Sequence, residues 1–119
     1  MRILMLSKAV VVGAYQRKLE ELAALPGVDL VVVVPPHWRE GDRVLTLERA
    51  HLRGYELVVR DMRFNGHFHW HYYPGLKGLI EAIRPDVFHV DEEPYNLATA
   101  HAIRLGRRSG ARCLFFSWQ

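Results

Sequence analysis

The run Leu30-Val31-Val32-Val33-Val34, closed by Pro35-Pro36, constrains this chain more than any other stretch. Four consecutive valines are stiff at the first side-chain torsion and favour extended backbone. Successive side chains of a strand point to opposite faces, so an unbroken apolar run belongs to a strand buried on both sides. Such a strand needs layers above and below it, as in a parallel sheet with helices on both faces. The two prolines end it, because neither can donate to a sheet ladder.

The rest of the chain fits that demand. Arg2–Leu6 reads as a first buried strand. A loop through Gly13 leads to a helix over Tyr15–Leu25, with Leu19, Leu22 and Ala23 at helical spacing and Pro26-Gly27 as the stop. His37–Gly54 is mixed and polar, with weak helical character around Thr46–Leu52. Glu56–Met62 reads as a third strand and Arg63–Tyr73 as an aromatic, histidine-rich loop. Pro74–Ile83 is a helix with Pro74 in its first turn. Asp86–Val90 is a fourth strand, Pro94–Arg108 a helix ended by Gly110, and Arg112–Ser117 a fifth strand. Strands alternating with helices predict a doubly wound, Rossmann-like α/β domain with a parallel sheet.

Composition sets the outer limits. The 119 residues suit one domain. A chain this short buries only about two thirds of its unfolded surface. With 16 basic and 13 acidic residues the net charge is +3, too mild and too scattered for a nucleic-acid partner. The one local cluster, Arg104, Arg107, Arg108 and Arg112, suits a helix C-terminus, where positive charge is favoured. A single cysteine, Cys113, excludes an internal disulfide framework and points to a reducing, cytoplasmic compartment. It reads as a small buried hydrophobe. No apolar stretch reaches the roughly 20 residues of a membrane helix.

Chemistry gathers in three places. At "DVFHVDEEPYNLA" an apolar strand runs into Asp91, Glu92 and Glu93, followed by Pro94. In open α/β sheets ligands bind outside the carboxyl ends of the strands. One acid there is explained by the dipole of the following helix. Three adjacent acids repel one another, which predicts a functional role for at least one. Second, "FNGHFHWHYYPG" carries His67, His69 and His71 at period two, on one face if extended. That spacing suits a metal site. The interleaved aromatics suit a sugar-binding wall equally well, since rings stack on sugar faces while hydroxyls need hydrogen bonds. Third, the loop after the first strand holds one glycine, Gly13, and no G-x-G-x-x-G, so dinucleotide binding is not expected.

In this order and spacing, "MRILMLSKAVVVGAYQRKLEELAAL", "DLVVVVPP", "RFNGHFHWHYYPGL", "RPDVFHVDEEPYNLAT" and "ARCLFFSWQ" resemble a known family. The whole chain looks like the N-terminal, acceptor-side part of a retaining glycosyltransferase of family four with the GT-B fold. The resemblance implies that residues 1–119 are a truncated first domain, that the donor-binding C-terminal domain is absent, and that the fragment alone is inactive. It implies hexosyl transfer from a nucleotide sugar to a sugar or lipid acceptor. The donor is a substrate, and no cofactor or metal is required. It implies a cytoplasmic protein that can sit peripherally at the inner membrane.

Residue by residue, Gly13 matches the family's glycine near the donor phosphates, where the family often has two. The family's junction often reads His-x-His-Glu-Pro. Here His89-Val90-Asp91-Glu92-Glu93-Pro94 puts Asp91 in the second histidine's place when counted from His89, and Glu92 when counted back from Pro94. The resemblance therefore implies Asp91 and Glu92 as catalytic residues. Asn65, His67, His69, Glu93 and Asn96 would line the acceptor side. The alternative is a non-catalytic α/β module holding a metal or other ligand through His67, His69 and His71. A phosphate-receiving signalling domain would place acids after the first strand, and Leu6–Val12 offers none. The apolar "CLFFSW" strand at a sheet edge predicts self-association.

Overall fold

The computed structural model of the chain describes residues 1–91 and 96–115. Among these, five strands form one parallel sheet: β1 (Arg2–Leu6), β2 (Asp29–Val34), β5 (Glu56–Val59), β6 (Val87–Val90) and β7 (Arg112–Phe115). Their spatial order is β5-β2-β1-β6-β7. These are the first five strands of the doubly wound Rossmann order, in the α/β architecture that the valine run requires. The valines of β2 are all buried, and β2 pairs with β1 on one side and β5 on the other.

The helices divide between the faces. α1 (Arg17–Ala23) packs Leu19 over Met5, Leu30, Val32 and Val34. α2 (Leu76–Ile83) and α3 (Leu97–Arg108) lie on the other face, where Leu76, Leu79, Ile80 and Ala102 meet Leu4, Leu6, Val31, Val33, Phe88 and Val90. Alternate residues of each strand thus feed two separate cores. α2 ends at Arg84, in the left-handed region at φ 53°, just before Pro85. In α3, Asn96 caps the start by accepting from the Thr99 amide at 2.9 Å. Arg107 and Arg108 fill its last turn, as the arginine cluster predicted. No helix among the described residues is long and apolar enough to cross a membrane.

One segment departs from the sequence reading. His37–Gly54 holds no helix at Thr46–Leu52. Instead β3 (His37–Glu40) and β4 (Arg43–Thr46) form an antiparallel hairpin with Glu40 opposite Arg43. The two-residue turn is Gly41-Asp42, with Gly41 at φ 60°, where L side chains are strained. The loop read over 63–73 is present, and it is not the extended segment that would put the three histidines on one face. It is a chain of turns closed by an antiparallel bridge between Arg63 and Tyr72. Asn65-Gly66, with Gly66 at φ 92°, starts the reversal.

At the far edge, β7 is a border strand, and Leu114 and Phe115 are about half exposed. Phe116, Ser117 and Trp118, read as part of this strand, lie outside the described residues.

Candidate functional site

The connections diverge at β1. The chain leaves β1 toward β2 on one side, and β6 and β7 follow on the other. This is the topological switch point, where the loops beyond two neighbouring strands part and leave a crevice. β1 and β6 run parallel with Leu6 beside Val90, so the next residues in register are Ser7 and Asp91. The Asp91 amide donates to the Leu6 carbonyl at 2.8 Å, which carries the pairing one residue past the strand. Ser7 and Asp91 therefore emerge side by side on the same face. The Ser7 hydroxyl donates to Asp91 Oδ2 at 2.9 Å. Ser7 is fully buried and its amide is tied to the Val33 carbonyl, while Asp91 is half-buried. A fixed hydroxyl thus orients a carboxylate whose remaining lone pairs can serve a ligand.

The 63–73 loop spans this edge. It leaves the end of β5, and its His71 ring packs edge-on against Trp38 of β3, with centroids 4.9 Å apart. The Lys8 ammonium, next after Ser7, lies 5.1 Å from the Trp38 ring and 5.1 Å from the Phe68 ring. At the other end the Leu97 amide donates to the His69 carbonyl at 2.7 Å, tying the loop to the start of α3. Among the described residues, this canopy of residues 63–73 touches the segments that follow β1, β2 and β6. Its polar and aromatic side chains stand on the same edge as Asp91.

The residues singled out by sequence fare differently. Asp91 is at the switch point. Glu92 and Glu93 lie outside the described residues. His67 and His69 are exposed on the canopy. His71 is fully buried, and its Nδ1–H donates to the His67 carbonyl at 3.0 Å. The turns thus undo the one-face arrangement that an extended segment would have given the three histidines. Among the described residues no three His, Cys, Asp or Glu side chains are arranged to hold a metal.

Asn65 turns its amide on β3. Its Oδ1 accepts from the Arg39 amide at 2.8 Å and its Nδ2 donates to the His37 carbonyl at 2.7 Å. It serves as a one-residue strand that anchors the canopy. Asn96 is buried and gives its Oδ1 to the helix cap. Gly13 sits in a pair of 3-10 turns that fill the space between β1 and α1. A Cβ there would lie 3.0 Å from Ala50 Cβ and 3.1 Å from Glu48 Oε2. The close approach at Gly13 is to the 47–51 loop and its carboxylate.

Sequence reading missed Ser7, Lys8 and Trp38. Ser7 had a signal: it ends the first apolar run at the same relative position as Asp91 ends the fourth. Trp38 had none, because its placement depends on the hairpin.

A surface cavity of about 770 Å³ lies at the opposite, amino edge, lined by Glu81, Arg84, Asp86, Ser109 and Arg112 among others. Its Asp86 carboxylate already accepts from the Arg2 amide at 2.8 Å. It lies at the other end of the strands from the groups gathered around Asp91.

One titration belongs to this edge. His101 of α3 meets the Tyr72 ring edge-on, with centroids 5.5 Å apart. Burial, and after it the charge of Arg104, holds His101 below the ordinary value of 6.5. The unfolded chain therefore takes up this proton before the folded one. The stabilising effect is complete above pH 6.5 and is lost as the pH falls through the lowered folded value. Urea denaturation at pH 7.5 and at a series of lower values should show stability dropping below about pH 6.5. His101→Asn should flatten that part of the profile. An equally steep drop in the variant would assign it to other groups.

Comparison with protein families, with curated proteins and with solved structures finds no match to the chain.

Proposed function

We propose that the chain is the acceptor-side domain of a retaining glycosyltransferase that moves a hexosyl group from a nucleotide sugar to a sugar or lipid acceptor. The single observation that carries this reading is the carboxylate of Asp91, oriented by buried Ser7, at the switch point of a Rossmann-like sheet. The position is the one a bound substrate occupies in such sheets. Support comes from the canopy, whose exposed imidazoles and rings stand on the same edge.

The chemistry gives the carboxylate its task. In a retaining transfer the bond from the sugar's anomeric carbon to the diphosphate breaks, and one to an acceptor hydroxyl forms. The anomeric centre becomes oxocarbenium-like between these events. The departing diphosphate takes the hydroxyl proton. A fixed carboxylate close to the sugar stabilises the developing positive charge or holds a ring hydroxyl. Ser7 is a positioning residue, which keeps one Asp91 oxygen engaged so that the other faces the crevice.

The test is nucleoside diphosphate release from a panel of nucleotide sugars, measured on this chain and on any longer product of its gene. Release with one donor supports the reading. Asp91→Asn should then slow transfer about tenfold, the loss of some 1.4 kcal/mol of transition-state stabilisation. Ser7→Ala should slow it less, with the fold intact by circular dichroism. An acceptor-side domain alone is expected to be silent, so absence of release from every donor by the longer product overturns the assignment, and unchanged rates in Asp91→Asn remove the role given to that carboxylate.

A further inference from the structure

The canopy holds a feature that the carboxylate chemistry does not use. Phe64, Phe68 and Trp70 are all exposed, and Trp70 keeps 66% of its surface open to solvent. Scattered apolar residues are normal on a protein surface. Three aromatics within seven residues of one turn-built loop are a concentration of another kind.

The loop is also well tied. The Arg63 and Tyr72 amides donate to each other's carbonyls at 2.9 and 3.2 Å, the His67 amide to Phe64 at 3.0 Å, and the Trp70 and His71 amides to His67 at 3.2 and 3.0 Å. Asn65 anchors it to β3 and the His69 carbonyl to α3. Phe64 is held at φ 55°, a region an aromatic residue rarely adopts, which costs energy that the closure must supply. The Phe68 ring already faces Lys8, and His69 meets it edge-on at 5.5 Å. Trp70 is thus the large ring that this framework holds out to solvent, on the edge where Asp91 stands.

We propose that Trp70 is the stacking platform for a pyranose ring, so that the acceptor handled at this edge is a saccharide. The inference rests on the transferase reading and narrows its acceptor. A sugar presents a face of C–H groups rimmed by hydroxyls. It needs one flat ring for the face and nearby polar groups for the rim. Trp70 supplies the ring, and His67 and His69, exposed on the same turns, supply polar neighbours. The alternation His67-Phe68-His69-Trp70-His71 suits such a ligand. A lipid-inserting loop would carry uninterrupted apolar tips, and here every exposed ring from Phe68 onward has a histidine beside it. Pre-ordering lowers the entropy lost on binding.

The experiment is saturation-transfer NMR with maltotriose, cellotriose and methyl α-mannoside, on the chain and its Trp70→Ala and Trp70→Phe variants. Trp70 is exposed, so both variants should keep the native circular dichroism. Binding of at least one saccharide is expected, weakened about tenfold in Trp70→Ala and partly retained in Trp70→Phe. No binding by any of the three, or unchanged binding in Trp70→Ala, overturns the platform. So does Trp70-dependent sedimentation with phosphatidylcholine–phosphatidylglycerol vesicles in place of saccharide binding. Diphosphate release separates the two readings. Release unaffected by Trp70→Ala leaves the transferase standing without this platform. Trp70-dependent saccharide binding with no release from any donor by the longer product keeps the platform and removes the transferase.

Discussion

Replacing Gln16 by leucine should lower the unfolding free energy by about 3 kcal/mol, from the loss of four buried or part-buried hydrogen bonds at roughly 1 kcal/mol each. Gln16 is fully buried beneath the first loop, and its amide is used completely. Its Nε2 donates to the Val10 carbonyl at 2.9 Å and the Glu48 carbonyl at 2.6 Å. Its Oε1 accepts from the Ala50 and His51 amides, both at 3.1 Å. One side chain thus satisfies four backbone groups of two segments that have no ladder of their own. Leucine has similar bulk but leaves the buried Val10 carbonyl unpaired and takes the partner from three part-buried groups of the 47–51 loop. Gln16→Glu should be as harmful, because a carboxylate would face two carbonyl oxygens. Urea denaturation gives the number. A loss under 1 kcal/mol would mean that the 47–51 loop lifts away to water at little cost, and that Gln16 does not organise it.

Gly106→Ala and Gly78→Ala should move stability in opposite directions. Both glycines lie inside helices, where alanine is intrinsically better by about 1 kcal/mol. At Gly78 of α2 a new Cβ meets nothing within 4 Å, so the gain should appear, up to about 1 kcal/mol. At Gly106 of α3 the new Cβ would fall 2.7 Å from Phe88 Cδ2 and 2.8 Å from Cys113 Sγ. Phe88 is completely buried among Leu4, Leu6 and Ala102 and cannot swing away. α3 must then lift from β6 and β7, an overpacking that costs roughly 1–3 kcal/mol and exceeds the propensity gain. Burial also pushes the Cys113 thiol up, so it stays neutral and packs against the core as a small hydrophobe, half-buried where its apolar run predicted full burial. Thermal melts of the two variants provide the check. A stabilised Gly106→Ala would show that the helix sits further from the sheet than these distances.

How much of this was legible depends on whether local sequence decided the matter. The strands were. Val31 to Val34 and Leu4 to Leu6 carry their burial in their composition, and a parallel sheet is what satisfies a strand buried on both faces. The β3–β4 hairpin had a signal in Gly41-Asp42, a two-residue turn flanked by extended residues, but the charged run around it gives neither strand an apolar face to read. The His67, His69 and His71 spacing was real. Its period-two meaning failed because Asn65-Gly66 and the Arg63–Tyr72 bridge turn the segment back on itself.

The site divides in the same way. Asp91 could be placed at a strand end from sequence, since an apolar run that stops at an acid in an alternating α/β pattern ends at the ligand-binding edge. Its partner could not. Ser7 and Asp91 are 84 residues apart, and only the β1–β6 register sets them side by side. Asn65, which the resemblance put on the acceptor side, bonds the backbone of β3, because the hairpin left a donor and an acceptor that needed partners. Gln16 gave no sign at all. By itself the sequence determined the fold class, the five strands of the parallel sheet and the strand end at which Asp91 stands, because hydrophobic periodicity and turn residues act locally. Which side chains meet at that edge was decided by tertiary structure, because strand register and loop closure join residues that no local pattern connects.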